Sequence, residues 1–409
     1  MSKKKVERNL LVALDIGTSK VVVLVGEITS DKEIQVIGIG SHPSKGLKKG
    51  VVVNIEATVQ SIQRAVEEAE LMAGCEIHSA YTGIAGSHIR SLNSHGIVAI
   101  QNNEVDHDDV ERVIDAAKAV AIPADQKILH ILPQEFIIDN QDGIKEPIGM
   151  SGVRLEAKVH LITGAMSAAQ NIIKCVKRCG LEVSDIILEQ LASSYSVLTE
   201  DEKELGVCLI DIGGGTTDLA VFVDGSILHT AVIPIAGDQV TNDIAVALRT
   251  PTQYAEKLKL DYGCAMIKLA DGKESIEVRS PGDRQGKQAS VRTLAEVIEA
   301  RYEELFKLVA TELRRSGLED NVAAGIVLTG GGSQVRGVAQ LAEQVLNMPV
   351  RIGRPVNVKG LSDELKSPIY STAVGLLLYG MQQHEDPQQS RRSKFNLFSK
   401  MKGWFQSNL

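Results

Sequence analysis

LGVCLIDIGGGTTDLAVFVDG, residues Leu205–Gly225, is the stretch on which the fold of this chain turns. An apolar run rich in β-formers ends at Asp211, a tight glycine turn follows, and a second apolar run returns, which is the pattern of two strands joined by a turn. The same figure stands at Leu10–Gly26, LLVALDIGTSKVVVLVG, with Asp15 in place of Asp211. A third strand is expected after each, over Ile34–Gly40 and Ser226–Ile235. The copies lie half a chain apart, so the repeat is a duplicated domain rather than a short solenoid unit.

Helical patterns separate the strands. Val110, Val113, Ile114, Ala117, Val120 and Ala121 follow the spacing of one buried helix face and predict a helix over 108–121. Ser167-Ala-Ala-Gln170 has the form of a capping box at the start of a second helix. Strands alternating with helices imply an α/β architecture of two like halves. The first core subdomain is read as 1–84 plus 163–197, interrupted by an inserted subdomain at 85–162 with strands at Ile128–Leu132, Gln134–Asp139 and Arg154–Leu161. The second is read as 198–240 plus 317–380, interrupted at 241–316, where 271–290 reads as a strand flanked by loops before a long helix at Leu294–Arg315. A polar, Gln-rich flexible linker is expected over 381–393, followed by a last element at 394–409.

Composition narrows the function classes. The 409 residues are 44% hydrophobic and 23% charged, enough apolar material for large cores. Aromatic residues make up only 3% and the formal charge is −8, which together argue against a nucleic-acid partner. Five basic and no acidic residues fall between Pro387 and Leu409, so the remaining body is more acidic than the total. The five cysteines form no CxxC pair; Cys175 and Cys179, four apart, are read as buried thiols rather than metal ligands, in a reducing cytosol. No apolar run reaches the ~18 residues of a membrane span, and no signal peptide is read.

Both Asp-x-Gly turns supply what a nucleoside triphosphate needs. Glycines Gly17, Gly213, Gly214 and Gly215 let backbone N–H groups approach phosphate oxygens. Hydroxyls of Thr18, Ser19, Thr216 and Thr217 are expected to add donors. Asp15 and Asp211, at strand ends on opposite sides of a cleft, are the candidate holders of a hydrated Mg²⁺. A third cluster, Gly330, Gly331, Gly332 and Ser333 in IVLTGGGS, again closes an apolar strand.

Taken together these motifs resemble the actin-like ATPase superfamily of actin, Hsp70 chaperones and sugar kinases. Leu14–Lys20 matches its first phosphate motif, Ile210–Asp218 its second and Ile326–Ser333 its adenosine motif, while LEQLASSY at Leu188–Tyr195 and STAVGL at Ser371–Leu376 look like its two connecting helices. The resemblance implies an actin-like fold of two duplicated halves around a nucleotide cleft, one inserted subdomain in each half, and ATP with Mg²⁺ as ligands. It makes Lys20 a phosphate contact, Glu256 and Lys259 candidate adenosine contacts, and Glu189 and Asp211 the catalytic carboxylates, with Glu189 orienting the attacking water. A solvated helix face is the competing reading for Glu256 and Lys259, and a plain helix-start residue for Glu189.

The closer resemblance, over nearly the whole chain, is to the bacterial cell-division branch of that superfamily. It implies a scaffold that polymerises beneath the inner membrane at the septum, tethers the tubulin-like FtsZ by its C-terminal peptide, and recruits later division proteins. Arg292 and Arg301 are the candidate peptide contacts; surface pairs with Glu296, Glu303 or Glu304 are the competing role. On a helical wheel, 394–409 gathers Phe395, Leu397, Phe398, Met401, Trp404, Phe405 and Leu409 on one side, with Lys400 opposite and Lys402 at the border. A basic amphipathic helix holding the chain's only Trp suits an anionic inner-membrane surface better than a protein groove. A type IV pilus assembly scaffold shares the first insertion and is the alternative. A sugar kinase would need a base that only Asp139 and Asp142 offer, without supporting context, and too little chain follows for the peptide-binding domain of a chaperone.

Overall fold

The computed structural model describes residues 9–272, 274–280, 286–360 and 362–385. The membrane-helix residues Phe395, Phe398, Lys400, Met401, Lys402, Trp404 and Phe405 lie outside these described residues.

The first half opens with an antiparallel meander, β1 (Leu10–Ile16), β2 (Lys20–Ile28) and β3 (Ile34–Pro43), followed by a small hairpin, β4 (Leu47–Lys48) and β5 (Val51–Val52). Helix α1 (Ile55–Ala73) starts where the Asn54 side chain accepts the Ala57 N–H at 3.1 Å and stops at the left-handed Gly74. It lies close on β3, because a Cβ on Gly40 would stand 1.8 Å from the Ala65 carbonyl oxygen. Strand β6 (Ser79–Ile84) then pairs parallel with β1.

Next comes the inserted subdomain: β7 (Arg90–Ala99), α2 (His107–Lys118), β8 (Gln126–Ile138), β9 (Gln141–Ile144) and β10 (Arg154–Ala165), with sheet order β7-β10-β8-β9. Its core of Val110, Val113, Phe136, Leu155 and Leu161 is separate from that of the half it interrupts. The sequence expected two strands around Pro133; the structure has one, β8. Its pairing with β10 steps from Lys158↔Glu135 to Val159↔Pro133, leaving Gln134 as the extra residue of a bulge. Helix α2 starts at an Asp106/Asp109 capping box and ends at Lys118, so Val120 and Ala121 fall beyond the helix.

The chain returns through α3 (Met166–Arg178), β11 (Glu182–Leu188), α4 (Glu189–Val197) and α5 (Glu200–Leu205). The capping box expected at Ser167 does not form: β10 runs straight into α3, Ala165 is the N-cap, and no side chain caps it.

The second half repeats the first. Strands β12 (Val207–Ile212), β13 (Thr217–Val223) and β14 (Ser226–Ile233) make the meander, and the insertion follows as α6 (Gly237–Leu248), α7 (Thr252–Tyr262), the hairpin β15 (Ser275–Val278) and β16 (Lys287–Ser290), and α8 (Val291–Ser316). A hairpin thus stands where one strand was expected, and the boundary read at Thr241 falls inside α6. Strand β17 (Ile326–Thr329), α9 (Val338–Leu346) and β18 (Val350–Ile352) complete the sheet, order β14-β13-β12-β17-β18. The chain then crosses back: β19 (Val358–Lys359) joins the first sheet, giving β11-β6-β1-β2-β3-β19, and α10 (Ser362–Leu365) leads to α11 (Ser371–Glu385) in the first core. Helix α11 continues through Glu385, five residues into the expected linker. Five strands of the first sheet, β11-β6-β1-β2-β3, repeat the order β18-β17-β12-β13-β14 of the second, as duplication requires, and β19 is an added edge strand.

Helices α4 and α11 cross between the halves. A Cβ on Gly375 would be 1.8 Å from the Ala192 carbonyl oxygen, so only glycine permits this approach. Ser196 Oγ donates to the Ser371 carbonyl at 2.7 Å and Ser193 Oγ lies 3.0 Å from Thr372 Oγ1.

Candidate functional site

The two Asp-x-Gly turns meet at the seam between the halves. Gly17, Thr18 and Ser19 join β1 to β2, and Gly213, Gly214, Gly215 and Thr216 join β12 to β13. A Cβ on Gly214 would stand 1.9 Å from Ser19 Oγ, and one on Gly215 would stand 2.5 Å from Thr18 Oγ1, so bare glycine is what lets the turns face each other. Thr18 Oγ1 accepts the Gly50 N–H at 3.1 Å, and Ser19 Oγ reaches the Asp238 carboxylate at 3.5 Å. The N–H groups of Gly237 and Asp238, opening α6, donate to the carbonyls of Gly213 and Gly214. Thr216 and Thr217 were expected to offer hydroxyl donors outward. Both are buried, and their hydroxyls instead donate to Asp218 at 2.9 Å and to the Ile235 carbonyl at 2.7 Å.

Four carboxylates converge behind the turns. Asp15 and Asp211 end β1 and β12, Asp218 lies on β13, and Glu189 is the first residue of α4. Burial, reinforced by the negative charge of Asp211, pushes Asp15 up to about 7. Asp218 rises to about 7 for the same two reasons, and its Oδ1 is buried without a partner. Glu189 is raised well above the carboxylate range by burial and then by Asp15, Asp218 and Asp211. Asp211 is raised by burial, although Ser193 Oγ donates to its Oδ2 at 2.6 Å and Thr372 Oγ1 does so at 3.3 Å. Lys20 stands nearby, its pKa lowered by burial and lifted by Asp15 and Glu364, with its ammonium 5.1 Å from the Tyr370 ring centroid. Among the described residues no three such side chains are close enough to cage a bare ion.

The third glycine cluster borders the same place. Gly330 has φ +80°, and a Cβ there would be 2.2 Å from Asp211 Oδ1; one on Gly332 would be 2.4 Å from Ile212 Cγ2. Gly331 is open apart from Ile369 at 3.7 Å. Ser333 is buried, its Oγ donating to the Gly330 carbonyl at 2.7 Å, so it shapes the turn. Glu256 and Lys259 pair at 2.7 Å on α7, and Lys259 Nζ also donates to the Gly237 carbonyl at 3.1 Å and to Thr241 Oγ1 at 2.8 Å. Lys259 thereby reaches the base of the second turn.

Arg292 and Arg301 lie apart from this cleft. Arg292, in the first turn of α8, sits 3.8 Å from Glu296 with both side chains exposed. Arg301 makes a two-pronged pair with Asp243 of α6 at 2.5 and 3.0 Å and also reaches Glu304 at 2.5 Å. Beside it Val246, Ala247, Val297 and Ala300 line a groove of about 350 Å³ between α6 and α8. Asp139, weighed as a kinase base, instead accepts the N–H groups of Val153 and Arg154 and holds a turn.

Comparison with known proteins decides the family. A cell division protein FtsA from Pseudomonas aeruginosa is 65% identical to this chain over 408 residues, 98% of each. This chain belongs to the FtsA family of cell division proteins. The family description "Cell division protein FtsA" matches residues 208–375, and "SHS2 domain inserted in FTSA" matches 86–163, the segment carrying β7–β10. Among solved structures, a PilM-PilN type IV pilus biogenesis complex has TM-score 0.68 at 18% identity, covering 91% of this chain and 99% of that one. MreB 5 of Spiroplasma citri bound to AMPPNP has TM-score 0.57 at 16% identity, covering 93% and 98%. These likenesses bear out the actin-like fold, while the FtsA relative separates this chain from the pilus and kinase alternatives. No helix of the described residues is long and apolar enough to cross a membrane.

The sequence by itself does not reveal several contributors. Asp218 stands within the second glycine motif, and its signal in the sequence is a carboxylate closing the turn. Ser193 and Thr372 were visible only as small residues of the connecting helices. Asp238, and Tyr302, whose hydroxyl donates to the Gly332 carbonyl at 2.8 Å, are placed by tertiary contact alone.

Proposed function

We propose that this chain is an ATP-binding division scaffold that links FtsZ to the inner membrane. The observation that carries the nucleotide reading is the cluster of Asp15, Glu189, Asp211 and Asp218 behind two facing glycine turns, with Asp211 and Asp218 buried and Asp15 and Glu189 half-buried. Holding so much carboxylate out of water is unfavourable for the chain alone, and bound cation and phosphate chemistry is what compensates it. Asp15 and Asp211 are the residues that would hold Mg²⁺, which when bound would supply neutralisation of phosphate charge. Backbone N–H groups of Gly17–Ser19 and of Gly214 and Gly215, with Lys20, take the phosphates, while the Gly213 N–H closes its turn on the Thr216 carbonyl; Gly330–Gly332, Glu256 and Lys259 flank the adenosine. Glu189 orients water for hydrolysis that is at most slow, and ATP acts mainly as glue between the halves.

The groove between α6 and α8 takes the FtsZ C-terminal peptide, its apolar side chains on Val246 and Val297, with Arg301 exchanging Asp243 for a peptide carboxylate and Arg292 at the rim. The basic and apolar residues of the segment 394–409 make it the membrane anchor on the cytoplasmic side at the septum, and self-assembly into filaments makes the platform on which later division proteins gather.

Co-sedimentation with anionic vesicles tests this, using the full chain and one truncated after Gln389, each with and without Mg-ATP. The full chain pellets and the truncated one stays in solution. Equal pelleting of both would remove the anchor from the reading. Failure of either to bind ATP in the presence of Mg²⁺ would remove the nucleotide.

A further inference from the structure

The corner where β11 becomes α4 sets the placement of Glu189. Leu188 is the N-cap of α4, with φ −60° and ψ 130°, and no side chain of its own helix caps it. Its backbone N–H is instead donated to His130 Nε2 at 3.0 Å. This acceptor is foreign to the core: His130 belongs to β8 of the inserted subdomain, opposite Ile162 of β10. It sits at the subdomain's root, because its neighbour Leu129 and its partner Ile162 are both buried in the first-half core. Leu129 is the extra residue of a second bulge, between Ile162↔His130 and Thr163↔Ile128, which turns the ring toward β11. On the other side of the corner, Gly83 of β6 makes room for Glu189: a Cβ there would stand 3.0 Å from Glu189 Cγ.

Because Nε2 accepts, the ring is neutral with its proton on Nδ1. Burial favours that form, lowering the histidine to about 4.

We infer that His130 is a positioning residue for Glu189: by accepting the Leu188 N–H it fixes the β11–α4 corner and holds the Glu189 carboxylate at the head of the cleft. Four residues along the same strand, Gln134 Nε2 donates to the Ile227 carbonyl of β14 at 3.1 Å, so β8 touches the corner of one half and the sheet edge of the other. The inference rests on the reading of Glu189 as the water-orienting carboxylate.

The test uses the full chain and three variants. His130→Gln keeps an acceptor at the place of Nε2, His130→Leu removes it at similar bulk, and Glu189→Ala removes the carboxylate. ATP affinity, single-turnover phosphate release with protein in excess, and hydrogen exchange of the Leu188 amide are measured on each. Expected are ATP affinities within about threefold of the parent for both His130 variants. Turnover is slowed about tenfold or more in His130→Leu, and recovers to within about twofold in His130→Gln. The Leu188 amide exchanges faster in His130→Leu alone. Parental turnover in His130→Leu overturns the inference, and so does His130→Gln being as slow as His130→Leu. Loss of ATP affinity in step with turnover in both variants overturns it too, since that marks a general structural role. Parental turnover in Glu189→Ala is a separate failure, of the reading of Glu189 itself.

Discussion

Replacing Gly375 with alanine is the sharpest probe of how the halves are joined. Helices α4 and α11 cross so closely that the new Cβ would meet the Ala192 carbonyl oxygen at 1.8 Å and its carbonyl carbon at 2.4 Å. Both are backbone atoms, so no side chain can swing aside. An ordinary contact requires the helices to part by about 1.5 Å, a gap that forfeits much of the dispersion energy across the crossing. It also pulls apart the two hydrogen bonds that span the crossing, Ser193 to Thr372 at 3.0 Å and Ser196 to the Ser371 carbonyl at 2.7 Å. Overpacking of this kind costs about 3 kcal/mol, which for a chain of this size lowers the melting temperature by about 3–4 °C. Because Ser193 is a donor to Asp211 and Glu189 opens the same helix, ATP affinity in the presence of Mg²⁺ falls about tenfold or more. Thermal melting and ATP titration check both effects, with Gly272→Ala as control. There the nearest atom to the new Cβ is Arg292 Cδ at 3.9 Å, so the change stays within about 0.5 kcal/mol. If Gly375→Ala melts within about 1 °C of the parent and binds ATP equally well, the crossing is not what holds the site.

Three further outcomes follow from the same contacts. Asp15 and Asp218, raised to about 7, keep protons in the folded chain that the unfolded chain has released above its own value of 3.8. Without nucleotide, stability therefore falls as pH rises from about 4 to about 7, by on the order of 1 kcal/mol per pH unit per group. Urea titrations across that range show a shallower slope for Asp218→Asn. Arg301→Ala removes the two-pronged pair with Asp243, lowers stability by about 1 kcal/mol, and weakens an FtsZ C-terminal peptide about tenfold by fluorescence anisotropy, whereas Arg292→Ala leaves stability within about 0.5 kcal/mol. Lys145 Nζ donates to the Gln134 and Asp224 carbonyls at 3.0 and 2.7 Å and lies 2.8 Å from Ser226 Oγ, so Lys145→Met speeds hydrogen exchange in β14 by about fivefold through lost bonds worth about 1 kcal/mol.

Local chemistry was enough for the sequence to reveal the two-half architecture. A strand ending in Asp-x-Gly, a glycine turn and a returning strand is specified within about twenty residues by β-propensity and turn geometry, and duplication doubled the signal. Glu189, Asp15 and Asp211 were legible for the same reason, each standing where a strand ends and a turn or helix begins. What tertiary structure decided lay in contacts between segments far apart in the chain. Whether Thr216 and Thr217 point at a ligand or into the fold depends on Asp218 and the Ile235 carbonyl, and propensity does not carry that information. Arg301 looked like one of several surface pairs because its stronger partner, Asp243, comes from another helix. The bulges that free Gln134 and turn His130 toward Leu188 arise from the register of β8 against β10, a property of two strands that neither strand shows alone. A sequence fixes local elements through short-range sterics and periodicity. The electrostatics of this cleft come from gathering four carboxylates, two of them buried and two half-buried, and that gathering exists only once the halves have closed.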